Sequence, residues 1–253
     1  MPLKPTNPMS APLIALVTDF GLEGPYIGQM RAVFHRLSPG VAVIDLFADA
    51  PVHNPKATAY LLPAYIQGFP TGTIFVCVVD PGVGSFAAAP VVVRAGDYWF
   101  VGPDNGLFEL IYRRLPAARR WILDFDPASL SASFHARDLY APAAARLALG
   151  ELPAGQPTDK PTPNDWPDDL FEITYIDHFG NAMTGLRAAM IDKYQLFDIK
   201  GIIVKNARIF ADQPPGSAFW YENANGLVEI AVNQGRADRV LDLAIGDVLH
   251  IVR

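Results

Sequence analysis

At 253 residues the chain exceeds the usual single-domain size and falls short of two large ones, so one large domain with a smaller companion is expected. Its apolar share of 51% against 18% charged residues excludes a disordered or coiled-coil chain, even though 20 Gly and 23 Pro punctuate it. The 20 basic and 26 acidic residues give a net charge of −6 with no basic cluster, which removes the electrostatic footprint of a nucleic-acid binder.

LIALVT (13 to 18) is a short, continuous apolar run ending at Asp19, the pattern of a parallel strand covered on both faces. From Pro25 to Leu37, Ile27, Met30, Val33, Phe34 and Leu37 recur at helical spacing, and Ser38-Pro39-Gly40 stops them. VAVIDLF (41 to 47) is the second strand. Asn54-Pro55 supplies a cap and a first-turn proline for a helix through Tyr65, which Pro63 is expected to kink or end. TIFVCVV (73 to 79) is the third strand, and PVVVRAGDYWFV (90 to 101) reads as two strands about a tight Ala-Gly-Asp turn. Helices are expected at about 105 to 114 and 138 to 148.

This alternation predicts an α/β N-terminal domain, residues 1–155, built on a doubly wound, mostly parallel sheet. The proline-rich run from 150 to 167 suggests a linker, placed at 156–167. Beyond it FEITYID, IKGIIVK, GLVEIAV and GDVLHIV are strand-like and separated by Gly, Asn and Asp turns, which predicts a small, mostly β domain over 168–253. The lone Cys77, inside the apolar run Ile74 to Val79, excludes an intramolecular disulfide and reads as a buried, inert thiol. The stretch MPLKPTNPMSAP is broken by prolines and lacks the apolar core of a secretion signal, and no uninterrupted apolar run approaches the roughly 18 residues of a membrane span. A cytoplasmic protein with no membrane partner is expected.

In an open parallel sheet the ligand crevice lies beyond the carboxyl ends of the strands. Asp19, Asp80 and Asp104 all follow apolar runs there; any one alone reads as a turn or cap residue, and three together point to a site. DPGVG (80 to 84) has neither the GxGxxG spacing nor the GK[ST] ending of a phosphate cradle. Among the five histidines no HxxxH or HExxH spacing suggests a metal site, and His35, His53, His178 and His250 read as structural or solvent-facing. His135, in FHARD just before a helix, is placed to act as a base or orienter, or else to bond local backbone.

Taken together, TDFG (18 to 21), VVDPGVG (78 to 84), GPDNGL (102 to 107), FHARD (134 to 138), IDHFGN (176 to 181) and GLVEIAVN (226 to 233) resemble the S-adenosylmethionine (SAM) hydroxide adenosyltransferase family, the SAM hydrolases related to fluorinase and chlorinase. The resemblance runs in order from about Leu13 to Val252. It implies a doubly wound N-terminal domain and a C-terminal β-barrel domain, a homotrimer with SAM at the subunit interface, SAM as substrate with no further cofactor or metal, and hydrolysis to adenosine and methionine. It further implies that Asp19 accepts both ribose hydroxyls, that Asp80 and His135 position the attacking water, and that Asp177 meets the methionine amino group. Asn181 falls at the adenine edge with Phe179 supporting that turn, Phe210 packs on adenine, and Glu229, Val232 and the Ala224 backbone contact the base or the methionine end.

The family pattern also places an arginine seven residues after the loop aspartate, where this chain has Ala87, and no basic residue follows until Arg94. Arg137, Arg31 or a neighbouring subunit's arginine are the candidate substitutes. The alternative to a hydrolase is a SAM- or adenosine-binding protein that has lost the chemistry. A halogenase is disfavoured, since the resemblance implies that the halogenase relatives carry a tyrosine in place of Asp80 and a long insertion between the two strands joined here by Ala95-Gly96-Asp97.

Overall fold

The computed structural model describes residues 12–85, 87–154, 156–159 and 163–252. In chain order the elements are β1 (Leu13–Thr18), α1 (Tyr26–Leu37), β2 (Ala42–Phe47), α2 (Pro55–Tyr65), β3 (Ile74–Val78), β4 (Pro90–Ala95), β5 (Tyr98–Pro103), α3 (Glu109–Arg114) and β6 (Arg119–Ile122). A π-helical turn (Ala136–Tyr140) leads into α4 (Ala141–Ala148), and β7 (Leu170–Ile176), β8 (Ala182–Arg187), β9 (Leu196–Ile199), β10 (Ile202–Asn206), β11 (Ala218–Glu222), β12 (Leu227–Val232), α5 (Ala237–Val240) and β13 (His250–Val252) follow. Packing divides the described residues into two compact units. The first draws on Met1–Val52, Gly68–Asn105 and Leu115–Pro161, and the second on His53–Gln67, Gly106–Arg114 and Thr162–Arg253.

The first unit holds a mixed, mostly parallel six-stranded sheet in the order β2-β1-β3-β5-β4-β6. β1, β2, β3 and β5 run parallel, and β4 runs against β5 and β6. The α1 face that recurs at helical spacing buries Ile27, Met30, Val33 and Phe34 against Ile14, Leu16, Ile74 and Val76 of the sheet, together with Ala141 and Ala145 of α4. Burying each such large apolar side chain contributes about 1.5–3 kcal/mol. Cys77 is fully buried within β3, and burial pushes its thiol far above the ordinary range. Because β2 lies on one side of β1 and β3 on the other, the chain reverses its direction of travel between β1 and β3. That reversal opens a crevice at the carboxyl ends of those two strands, where Asp19 and Asp80 stand.

The second unit carries a seven-stranded half-barrel, β13-β9-β10-β11-β12-β8-β7, mostly antiparallel. Every residue of β12 is buried. The segment IKGIIVK, which reads as one strand, is the β9–β10 hairpin: Lys200 and Gly201 both take positive φ (51° and 82°) and turn the chain between Ile199 and Ile202. Helix α2 starts as its sequence dictates, with the Asn54 side chain accepting from the Ala57 N–H and Pro55 in the first turn. Pro63 does not end it. The proline sits in the last turn, where it forfeits only one helical donor, and Ile66 N–H still closes onto the Leu62 carbonyl. Of the proline-rich stretch, Thr158 pairs with Arg120 in the first unit, while Asn164 bonds Glu109 and Pro167 accepts from Tyr60 in the second. No helix among the described residues is long and apolar enough to cross a membrane.

Candidate active site

In the first unit the loop after β3 is built by its own backbone. Val83 N–H reaches back to the Asp80 carbonyl, Ser85 N–H and hydroxyl both donate to the Gly82 carbonyl, and Gly82 N–H donates to the Asp80 carboxylate at 3.2 Å. Gly84 takes φ +85°, and a Cβ there would stand 2.3 Å from the Ala132 carbonyl oxygen. Only glycine lets this loop lie against the segment that carries His135. Asn105 supports the strand end by donating to the Val79 carbonyl at 2.9 Å.

His135 is 4% exposed and caps the π-helical turn, in which the Ala141 N–H reaches the Ala136 carbonyl. Phe134 before it is held edge-on between Phe20 and Tyr26, with ring centroids 5.9 and 5.2 Å away. Asp80, His135 and Tyr140 converge on a small polar cavity of about 10 Å³, which is the space one ordered water needs. Burial is the main force holding the Asp80 carboxyl above its ordinary value; the Gly82 N–H and the charge of His135 pull it down, and Asp19 pushes it up. Burial, with the charge of Asp80 added, likewise raises the Tyr140 hydroxyl. The first two residues of this trio were legible as candidates. Tyr140 was not, since it sits five residues from His135, a spacing that shares a face only in a π turn.

Asp104, the third strand-end carboxylate, is taken up by Arg120 at 2.6 Å and is nearly buried, which gives it a structural partner within the sheet. The two arginines considered as substitutes for the family cation are engaged elsewhere. Arg31 pairs with Asp45 at 2.6 Å. Arg137 grips both oxygens of Asp138, donates to Gln29 and lies 5.0 Å over the Phe134 ring. Ala87 is exposed on the loop beyond Ser85.

In the second unit a cavity of about 720 Å³ brings together Asp177, Phe179, Asn181, Phe210 and Val232, five of the expected residues, along with Tyr221 and Arg236. The turn from Asp177 to Asn181 closes on itself, because Asn181 donates to the Asp177 carboxylate from its backbone at 2.8 Å and from its side chain at 3.2 Å. Gly180 takes φ +85° with Arg236 and Asp238 packed where a Cβ would go. Phe179 is 71% exposed and its ring forms part of the cavity wall. Phe210 meets Tyr221 and Phe219 edge-on at 5.3 and 5.1 Å. Glu229 is 2% exposed and accepts from the Tyr221 hydroxyl at 2.5 Å and from the Asn223 amide at 2.9 Å. Ala224 lies exposed in the turn between β11 and β12.

The chain matches the SAM hydroxide adenosyltransferase N-terminal domain over residues 14–156 and the corresponding C-terminal domain over residues 171–250, so it belongs to the SAM hydroxide adenosyltransferase family. It is 36% identical over 252 residues to a protein of Thermus thermophilus named (R)-S-adenosyl-L-methionine hydrolase, covering 92% of this chain and 96% of that one. A protein of the same name from Salinispora arenicola is 35% identical, with 96% and 98% covered. A fluorinase of Actinopolyspora mzabensis is more distant at 23% identity, again with 96% and 98% covered. Among solved structures, an uncharacterized conserved protein from Thermotoga maritima superposes with a TM-score of 0.84 at 27% identity, covering 95% of this chain and all of that one.

Proposed function

We propose that this protein hydrolyses SAM to adenosine and L-methionine, by in-line attack of water on the ribose C5′. The observation that carries this reading is the convergence of Asp80 and His135 on a cavity the size of one water, in a chain about 35% identical over nearly its whole length to relatives named SAM hydrolases. Methionine leaves as a neutral thioether, so the reaction needs no general acid. The site has to orient the water opposite sulfur and favour its deprotonation as the C–O bond forms and the C–S bond breaks.

In this reading Asp80 and His135 hold the water, and burial strengthens the attraction between the developing hydroxide and the sulfonium. Asp19 accepts the two ribose hydroxyls, a task suited to a bidentate acceptor. Asp177, whose oxygens keep acceptor capacity after binding Asn181, takes the methionine ammonium, while Asn181, Phe210, Val232, Glu229, Phe179 and the Ala224 backbone serve the adenine and methionine ends. The assembly is a homotrimer with SAM at the subunit interface, acting in the cytoplasm.

A second reading, a protein that binds SAM or adenosine without turning it over, is favoured by one observation: Ala87 stands in the family's arginine position while Arg31 and Arg137 are committed to Asp45 and Asp138. Incubating purified protein with SAM and following adenosine and methionine by chromatography separates the two. Products above a buffer blank are expected; their absence at high protein concentration, with SAM still bound in calorimetry, selects the binding protein. Asp19→Ala is expected to weaken SAM binding by about tenfold or more under either reading.

A further inference from the structure

At the start of β5, the strand register places Arg94 of β4 opposite both Trp99 of β5 and Arg119 of β6. Two arginines thus face each other across an antiparallel pair, an arrangement that repels and destabilises unless something neutralises it. Nothing in the first unit does so: among the described residues neither Arg94 nor Arg119 forms an ion pair with a carboxylate. The neighbouring Arg120, by contrast, is matched by Asp104. In a chain with 20 basic and 26 acidic residues, partners for two more arginines are not scarce, so their pairing with each other is a marked departure.

The surroundings supply what a ligand for those two guanidinium groups would need. The Arg94 guanidinium lies 5.5 Å from the centre of the Trp99 ring, and Trp99 and Trp121 stand 5.9 Å apart at 39°. Both rings are half-buried, and with the two arginines they line a cavity of about 470 Å³ closed on another side by Pro153 and Gln156. Among the described residues none that lines it is acidic. We propose that this cavity binds a small aromatic anion, a planar ring carrying a carboxylate or phosphate: the arginine forks take the charge and the tryptophans take the ring. Its volume falls within the range of small-molecule sites. The site uses none of the residues assigned to SAM, so it stands independently of the reaction proposed above.

Titrating the full chain with phenyl phosphate and with benzoate, followed by tryptophan fluorescence and calorimetry, tests this and tells the two anionic groups apart. Saturable binding of at least one is expected, with inorganic phosphate and benzyl alcohol, each carrying half of the ligand's chemistry, about tenfold or more weaker. Arg94→Gln and Arg119→Gln should each weaken the aromatic anion by about tenfold or more. Because Arg119→Gln relieves the repulsion across the strands, its melting temperature without ligand should be no lower than that of the parent, which separates a lost site from a misfolded chain. The proposal is overturned if neither aromatic anion saturates, if benzyl alcohol binds as tightly as phenyl phosphate, or if both arginine variants bind as the parent does.

Discussion

Tyr221 and Glu229 stand directly opposite one another on β11 and β12, and the phenolic hydroxyl donates to the carboxylate over 2.5 Å. The pair lies in the floor of the larger cavity, since Tyr221 lines it while Glu229 is buried behind. A carboxylate in this position is costly to ionise, and burial holds its pKa above the ordinary value despite the bonds from Tyr221 and Asn223; Asp177 raises it further.

Stability should therefore respond to pH through Glu229. With the folded value raised, its contribution is fully present below the unfolded pKa of about 4.3 and is lost as pH rises through the folded value. Glu229→Gln should flatten that decline in denaturant unfolding measured across pH. The substitution is tolerable because the glutamine oxygen accepts from Asn223 while its amide donates to a rotated Tyr221 hydroxyl. Tyr221→Phe removes a donor to the carboxylate, so it should extend the decline to higher pH and cost about 1–2 kcal/mol.

The acid limb of turnover should belong to Asp80. Its carboxyl is held above the ordinary value, so kcat/KM for SAM is expected to fall as pH drops through a point above the usual carboxylate range, while the protein remains folded. Asp80→Asn should abolish that limb along with most of the activity, a loss of about 100-fold. An unchanged pH profile in this variant would place the titrating group elsewhere.

Restoring a cation on the loop should help. Ala87 is exposed beyond the Ser85 hydroxyl that accepts from its N–H, so an arginine side chain has room there. Ala87→Arg is expected to lower the Asp80 pKa and raise SAM turnover by about tenfold or more. Equal rates in parent and variant would show that the family cation is not what limits this chain.

Gly84→Ala tests the seating of the loop. The new Cβ would stand 2.3 Å from the Ala132 carbonyl in a backbone conformation that disfavours side chains, so the substitution should destabilise by about 2 kcal/mol or more and slow turnover together. Thermal unfolding and a SAM assay on the same preparation check both effects.

Local signals made much of this fold legible. The run from Leu13 to Thr18 forms the expected strand, and Asn54 caps the expected helix, because in both cases the determining contacts lie within a few residues. Lys200-Gly201 misled because an apolar run with one lysine and one glycine reads as a strand until the turn's positive φ values are seen. The Tyr221 strand, AFWYE, carries no clean alternation and is set by its pairing with β12. The fate of Asp104 depended on Arg120, sixteen residues away, which no local pattern encodes, whereas Arg137 is taken by its neighbour Asp138, side by side with it in FHARD.

The π-helical turn from Ala136 to Tyr140 contains one residue more than an α-helix would use over the same span. Deleting one of those five residues would let the hydrogen-bond ladder close in the ordinary way, leaving His135 and Tyr140 four residues apart and still on one face of the helix that continues into α4. The extra residue is thus absorbed inside the turn, and its two ends keep their bearing. A chain one residue shorter at this point would therefore still present its histidine to the small cavity beside Asp80.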